Sequence, residues 1–179
     1  MASELTREQV AALQHLWYGH QNVPRRSDFV HAWRAVKSVG ACDGQLTDAE
    51  RLYLLGKMCA IGTPTDVVDE IMAFDEHSGT PEELVAGIDV PEAVRPGVGA
   101  WICYEGLSLA MSDGDIDVRE FQAVRNAGAA MGVGSDVVEA LAEHCREEAA
   151  LREKRIQTLN STIPTEFRFS EGQAGSGTG

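Results

Sequence analysis

The chain has no apolar run approaching the ~20 residues that cross a bilayer, and its opening Met1-Ala2-Ser3-Glu4-Leu5-Thr6-Arg7-Glu8 lacks the apolar centre of a secretion signal. A cytoplasmic location without a transmembrane segment is expected, which leaves membrane-surface association through a partner open. Cations are scarce, with 15 Lys and Arg against 28 Asp and Glu, a formal net charge of -13. A phosphate-backbone binder needs clustered cations to release counterions, so nucleic acid is excluded. The acidic balance suits solubility, metal cations or basic protein partners.

Cys42, Cys59, Cys103 and Cys145 form no Cys-x-x-Cys pair and no Cys/His spacing that closes a zinc tetrahedron. Buried thiols in a reducing compartment are expected. The five histidines show neither His-x-x-x-His nor Glu-x-x-His spacing, which removes zincin and di-iron chemistry. There is no Gly-x-Ser-x-Gly elbow and no Walker loop. Gly132-Val-Gly134 follows a helical pattern rather than a strand and reads as a turn.

No segment alternates apolar and polar residues long enough for a strand, whereas helical spacing runs almost throughout. The periodicity predicts an all-α bundle of seven to eight helices, at about Thr6 to Tyr18, Arg25 to Asp43, Asp48 to Ile61, Asp66 to Phe74, Pro81 to Ala86, Pro91 to Asp113, Val118 to Met131 and Asp136 to Leu159. At 179 residues a single domain over 1–160 is expected. A tail over 161–179 is expected to be flexible at least from 170, where Gly, Ser and Gln dominate.

One phrase occurs twice, seventy residues apart. Cys42-Asp43-Gly44-Gln45-Leu46-Thr47-Asp48-Ala49-Glu50 is matched by Ser112-Asp113-Gly114-Asp115-Ile116-Asp117-Val118-Arg119-Glu120. The same offset lays Phe29–Met72 over Gly99–Ala142 without a gap and makes Gly62/Gly132 and Asp66/Asp136 identical pairs. Two repeats, about 25–78 and 94–151, are therefore expected to pack with approximate twofold symmetry, since neither buries its apolar face alone. Leu13, Leu16 and Trp17 of the first helix are expected to close one side of the core, with Trp33 and Trp101 inside it.

Much of the phrase is helix punctuation. Gly44 and Gly114 suit a left-handed helix end, Thr47 and Asp117 suit N-caps, and Glu50 and Glu120 follow at capping-box spacing. Thr65 and Ser135 read as hydroxyl N-caps of the third helix of each repeat. Asp43 and Asp113 fit less well, because a carboxylate on the last residue of a helix faces the negative end of its dipole. A bound cation removes that penalty. Twofold packing would gather Asp43, Glu50, Asp113 and Glu120 as oxygen ligands for a hard divalent ion, with Asp115 and Asp117 as a second tier. Pure capping stands as the alternative. An EF-hand is excluded, because loop positions one and three would be Leu109 and Met111, or Val39 and Ala41 in the first copy. Glu105, alone among apolar neighbours, is either an accessory acid for the site or a solvent-facing residue. Glu148 and Arg152 are spaced as an i,i+4 ion pair.

The doubled Ala-x-Asp-Gly-x-aliphatic-x-x-x-Glu pattern, with Met111 in place of the second alanine, resembles the tellurite-resistance TerB-like family over roughly Phe29 to Leu151. The resemblance implies a compact helical bundle with a divalent-metal site at Asp43, Glu50, Asp113 and Glu120, acting in metal or chemical stress responses. Calcium or magnesium is the favoured ion, with manganese and zinc as alternatives. A non-enzymatic protein working through protein partners is the leading expectation. A small metal-dependent enzyme using the same acids and a metal-free interaction module are the alternatives.

Overall fold

The computed structural model describes residues 5–19, 23–114 and 116–164. Among these, eight α-helices and one 3-10 turn are present and no strand: α1 Arg7–Tyr18, α2 Arg26–Gly40, α3 Asp48–Ala60, α4 Thr65–Ala73, α5 Pro81–Ala86, the turn Glu92–Val94, α6 Arg95–Ala110, α7 Val118–Ala130 and α8 Ser135–Ser161. The all-α expectation holds. The expected tail from 170 lies outside the described residues, as do His20 and Asp115.

α2 and α6 form the centre. α6 packs on α2, α3, α7 and α8, while α2 also receives α4, α5 and α7. Trp33, Val36 and Val39 of α2 meet Ile102, Leu107 and Leu109 of α6 in one core, all at most 1 % exposed. Trp33 and Trp101 stack edge-to-face at 5.1 Å, a favoured aromatic geometry. Gly99 allows a close approach of α6 to the end of α7: a Cβ there would lie 2.5 Å from Met131 Cβ and 2.7 Å from Val133 Cγ2.

Helix ends follow from local chemistry. Thr6, Thr47 and Thr80 each accept a bond from the N–H three residues on, and Gln9, Glu50 and Glu83 return it, so two of the N–H groups at each helix start are satisfied. Gly62 and Gly132 take the left-handed conformation with φ of 78° and 81°. Beside them Thr63 N donates to Met58 O at 3.0 Å and Val133 N to Gly128 O at 2.9 Å, closing the same Schellman motif after α3 and α7. Thr65 and Ser135 are the first residues of their helices; the caps are Pro64 and Gly134, with no side-chain bond. The expected helix from Pro91 splits, because Pro96 has no N–H for a preceding carbonyl and is tolerated only in the first turn of α6.

α1 attaches differently from the expectation. Leu16 is 76 % exposed and Trp17 46 %; Val10 and Gln14 are the residues it buries. Gln14 Nε2 donates to Ile61 O at 3.0 Å and Trp17 Nε1 to Ala60 O at 3.2 Å, satisfying carbonyls left open at the end of α3.

Two lysines are buried. Lys37 Nζ donates to Ile71 O, Met72 O and Phe74 O at 3.1, 3.1 and 2.6 Å and pairs with Glu76 at 3.1 Å. Lys57 Nζ pairs with Glu105 Oε1 at 3.3 Å and lies over the rings of Trp17, Tyr104 and Tyr18 at 4.4, 5.1 and 5.6 Å. Glu105 is thus fully buried, not solvent-facing, and Tyr18 Oη also donates to its Oε1 at 2.7 Å. Burial still raises the Glu105 pKa, against the opposing pull of Lys57.

Candidate functional site

The two Asp-Gly turns lead into α3 and α7, and each places one glutamate inward. Glu50 and Glu120 are 3 % and 5 % exposed. Glu50 Oε2 accepts from Thr47 N at 2.7 Å, and Glu120 Oε2 accepts from Asp117 N at 2.8 Å. Each therefore commits one oxygen to its capping box. Oε1 of each has no hydrogen bond among the described residues.

Asp43 and Asp113 correct one expectation. α2 ends at Gly40 and α6 at Ala110, so both aspartates stand three residues beyond their helices, exposed in the turns. The dipole penalty falls off within the last turn and does not bear on them. Nor is Gly44 left-handed; Gly114 has a nearly extended φ of 157°.

The two turns reach across to each other. Thr47 Oγ1 lies 3.2 Å from Asp113 Oδ2 and 2.9 Å from Glu50 Oε2. From the other side Arg119 donates to Asp43 O at 3.3 Å and its guanidinium lies 3.8 Å from Asp43 Oδ2. Asp117 accepts from Arg119 N at 2.8 Å and from its guanidinium at 3.0 Å, which keeps that carboxyl below the usual range. Neither Thr47 nor Arg119 was picked as a site residue from sequence: Thr47 was accounted for as an N-cap, and Arg119 has no counterpart in the first copy of the phrase, where Ala49 stands.

Electrostatics identify the inner pair as the strained part. Burial pushes the Glu120 carboxyl up to about 7, with further increments from the charges of Glu50, Asp43 and Asp113, against the Asp117 N–H bond that favours the anion. Burial likewise raises Glu50, opposed by its bonds from Thr47 and aided by Asp113 and Asp43. Cys42 beside them, only partly shielded from solvent, rises to about 11, first through that partial desolvation and then through Glu120 and Asp43, so the thiol is neutral at physiological pH. Cys42 and Cys59 are exposed, contrary to expectation; Cys103 and Cys145 are buried.

The structure thus brings Asp43, Glu50, Asp113 and Glu120 into one electrostatic neighbourhood. Among the described residues, however, no three or more His, Cys, Asp or Glu stand at spacing that would hold a metal ion. The donor set is all oxygen, the chemistry of a hard cation. Asp43 and Asp113 each have one oxygen, Oδ2, facing a neighbour, Arg119 and Thr47 respectively.

Compared with solved structures, the chain is similar to the crystal structure of a tellurite resistance protein from Nostoc punctiforme, with a TM-score of 0.70. The match covers 87 % of this chain and 94 % of that one at 20 % identity. The two proteins share a fold. No family model matches the chain, and no curated protein matches it in sequence. The likeness runs over nearly the whole of the Nostoc protein. Among the described residues no helix is long and apolar enough to cross a membrane.

Proposed function

We propose that this protein is a TerB-like, non-enzymatic binder of a divalent cation that acts in a metal or chemical stress response through protein partners. The ion sits between the paired turns, with Asp43, Glu50, Asp113 and Glu120 as ligands and calcium or magnesium ahead of manganese or zinc. The observation that carries the reading is the pair of buried glutamates, each with one oxygen unbonded among the described residues and a pKa raised by burial and further by neighbouring carboxylates. A cation would relieve that repulsion and stabilise the folded state by mass action. The shared fold with a tellurite resistance protein supports the stress-response part. A pseudo-twofold relation between the units belongs to the same reading, and so do a cytoplasmic location and the acidic surface as the partner-binding face.

The test is calorimetric titration of calcium, magnesium, manganese and zinc into the wild type and Asp43→Asn/Asp113→Asn. Binding by the wild type and its loss in the variant are expected. A wild type that binds none of the four ions would sink the proposal and leave the motifs as caps. Glu50→Gln separates the two roles, because an amide oxygen can still accept from Thr47 N while its ligation of a cation is weaker.

A further inference from the structure

A concavity of about 770 Å³ is bounded by α3, α6, α8 and the end of α1, and Glu50 and Glu120 are not among its lining residues. That volume falls in the range of ~300–1,000 Å³ typical of small-molecule sites. Its α3 side is cut low by Ala49, Gly56 and Ala60, and nothing lies within 4 Å of the position a Cβ on Gly56 would take. Apolar side chains stand open around it: Leu52 is 65 % and Leu151 66 % exposed.

Lys57, Arg152 and Arg155 line this groove together with one carboxylate, that of Glu148. Arg152 and Arg155, neighbours at i,i+3 on α8, both line it. Arg25, Arg26, Arg34, Arg51, Arg119 and Arg146 are ion-paired; Arg152 and Arg155, like Arg7 and Arg125, have no ion pair or hydrogen bond among the described residues, and of these four only Arg152 and Arg155 line the groove. The expected Glu148–Arg152 pair does not form, because Glu148 accepts from Tyr104 Oη at 2.7 Å and pairs with His144 at 3.3 Å. Lys57, deeper in the groove, is satisfied by Glu105.

We propose that this groove binds a single-chain anionic amphiphile, an alkyl chain ending in a carboxylate. The chain lies along Leu52, Gly56 and Leu151, and the carboxylate meets Arg152 and Arg155, whose guanidinium forks match its geometry. The apolar surface is concave, which suits a free monomeric chain rather than the face of a bilayer. A second copy of this acidic chain is disfavoured by self-repulsion at a net charge of -13.

Titration of sodium laurate below its micellar concentration into the full chain, followed by calorimetry, should give one binding event per protein. Arg152→Gln/Arg155→Gln should weaken it by about tenfold or more. Gly56→Leu should abolish it while keeping the fold, since it fills open space on an exposed helix position and raises helix propensity; circular dichroism checks both variants. Four results would overturn the proposal: no binding of laurate, equal binding of dodecyltrimethylammonium, wild-type affinity in both variants, or sedimentation with phosphatidylglycerol vesicles without binding of monomeric laurate.

Discussion

Replacing Glu120 by Gln should stabilise the metal-free protein at high pH and leave it nearly unchanged at low pH. Raising this carboxyl from its ordinary 4.5 to about 7 penalises the ionised form by about 3 kcal/mol at most. The folded protein then holds the proton more tightly than the unfolded chain. Stability from this group is therefore fully present below about pH 4.5, falls by about 1.4 kcal/mol per pH unit as pH rises toward 7, and is flat above. Glutamine removes the charge yet can still accept from Asp117 N, so the cap survives. Urea unfolding in a chelator at pH 8 should show Glu120→Gln more stable by about 2–3 kcal/mol, a rise in Tm of roughly 4–10 °C for a chain of this size, and a difference near zero at pH 4. Saturating divalent cation should reverse the order at pH 8, because the wild type then gains a ligand that the variant lacks. A variant that is neutral or less stable at pH 8 without metal, or equally shifted at both pH values, would refute the electrostatic account of this site.

Lys57→Met leaves Glu105 buried without its cation and should destabilise the protein by about 3–5 kcal/mol in urea unfolding, whereas Lys57→Met/Glu105→Leu should recover most of the loss. Recovery of nothing by the double variant would mean that packing of the lysine stem, not the ion pair, sets the cost. Gly99→Ala drives a Cβ into Met131 and Val133 and should cost about 1–3 kcal/mol; thermal melts beside Gly56→Ala, which meets open space and should gain about 0.5–1 kcal/mol, give the contrast.

The helices and most of their caps were legible because both are local signals. Thr47 with Glu50 and Asp117 with Glu120 needed only a three-residue spacing, and the structure contains both boxes. The ends of α2 and α6 were placed three residues too far, since Ala41-Cys42 and Met111-Ser112 continue a tolerable helical pattern. The end of α2 carries a tertiary constraint that the pattern does not show: Gly40, its last residue, sits so close to Leu46 and Leu109 that a Cβ would lie 2.8 and 2.9 Å from them. The ion pair of Lys57 with Glu105 joins residues on α3 and α6 and leaves no periodic trace, beyond a lone acid in an apolar stretch. Trp17 was assigned to the core on hydrophobicity, but its indole N–H has a carbonyl partner at the surface. In the candidate site the four acids were readable from the doubled phrase, while the contacts of Thr47 with Asp113 and Arg119 with Asp43 depend on how the two turns meet.

The buried ammonium of Lys37 bears on why the two halves differ in length. The carbonyls of Ile71 and Met72, to which it is bonded, are those that a longer α4 would offer to the N–H groups of residues 75 and 76. The side chain thus acts as an internal terminator, and α4 ends after 9 residues. Seventy positions later the residue is Leu107, which has no donor, and the helix corresponding to α4 is α8, which runs for 27 residues. The buried cation accompanies the short α4, and the leucine seventy positions on accompanies the long arm of α8 that carries Leu151, Arg152 and Arg155 beyond the core.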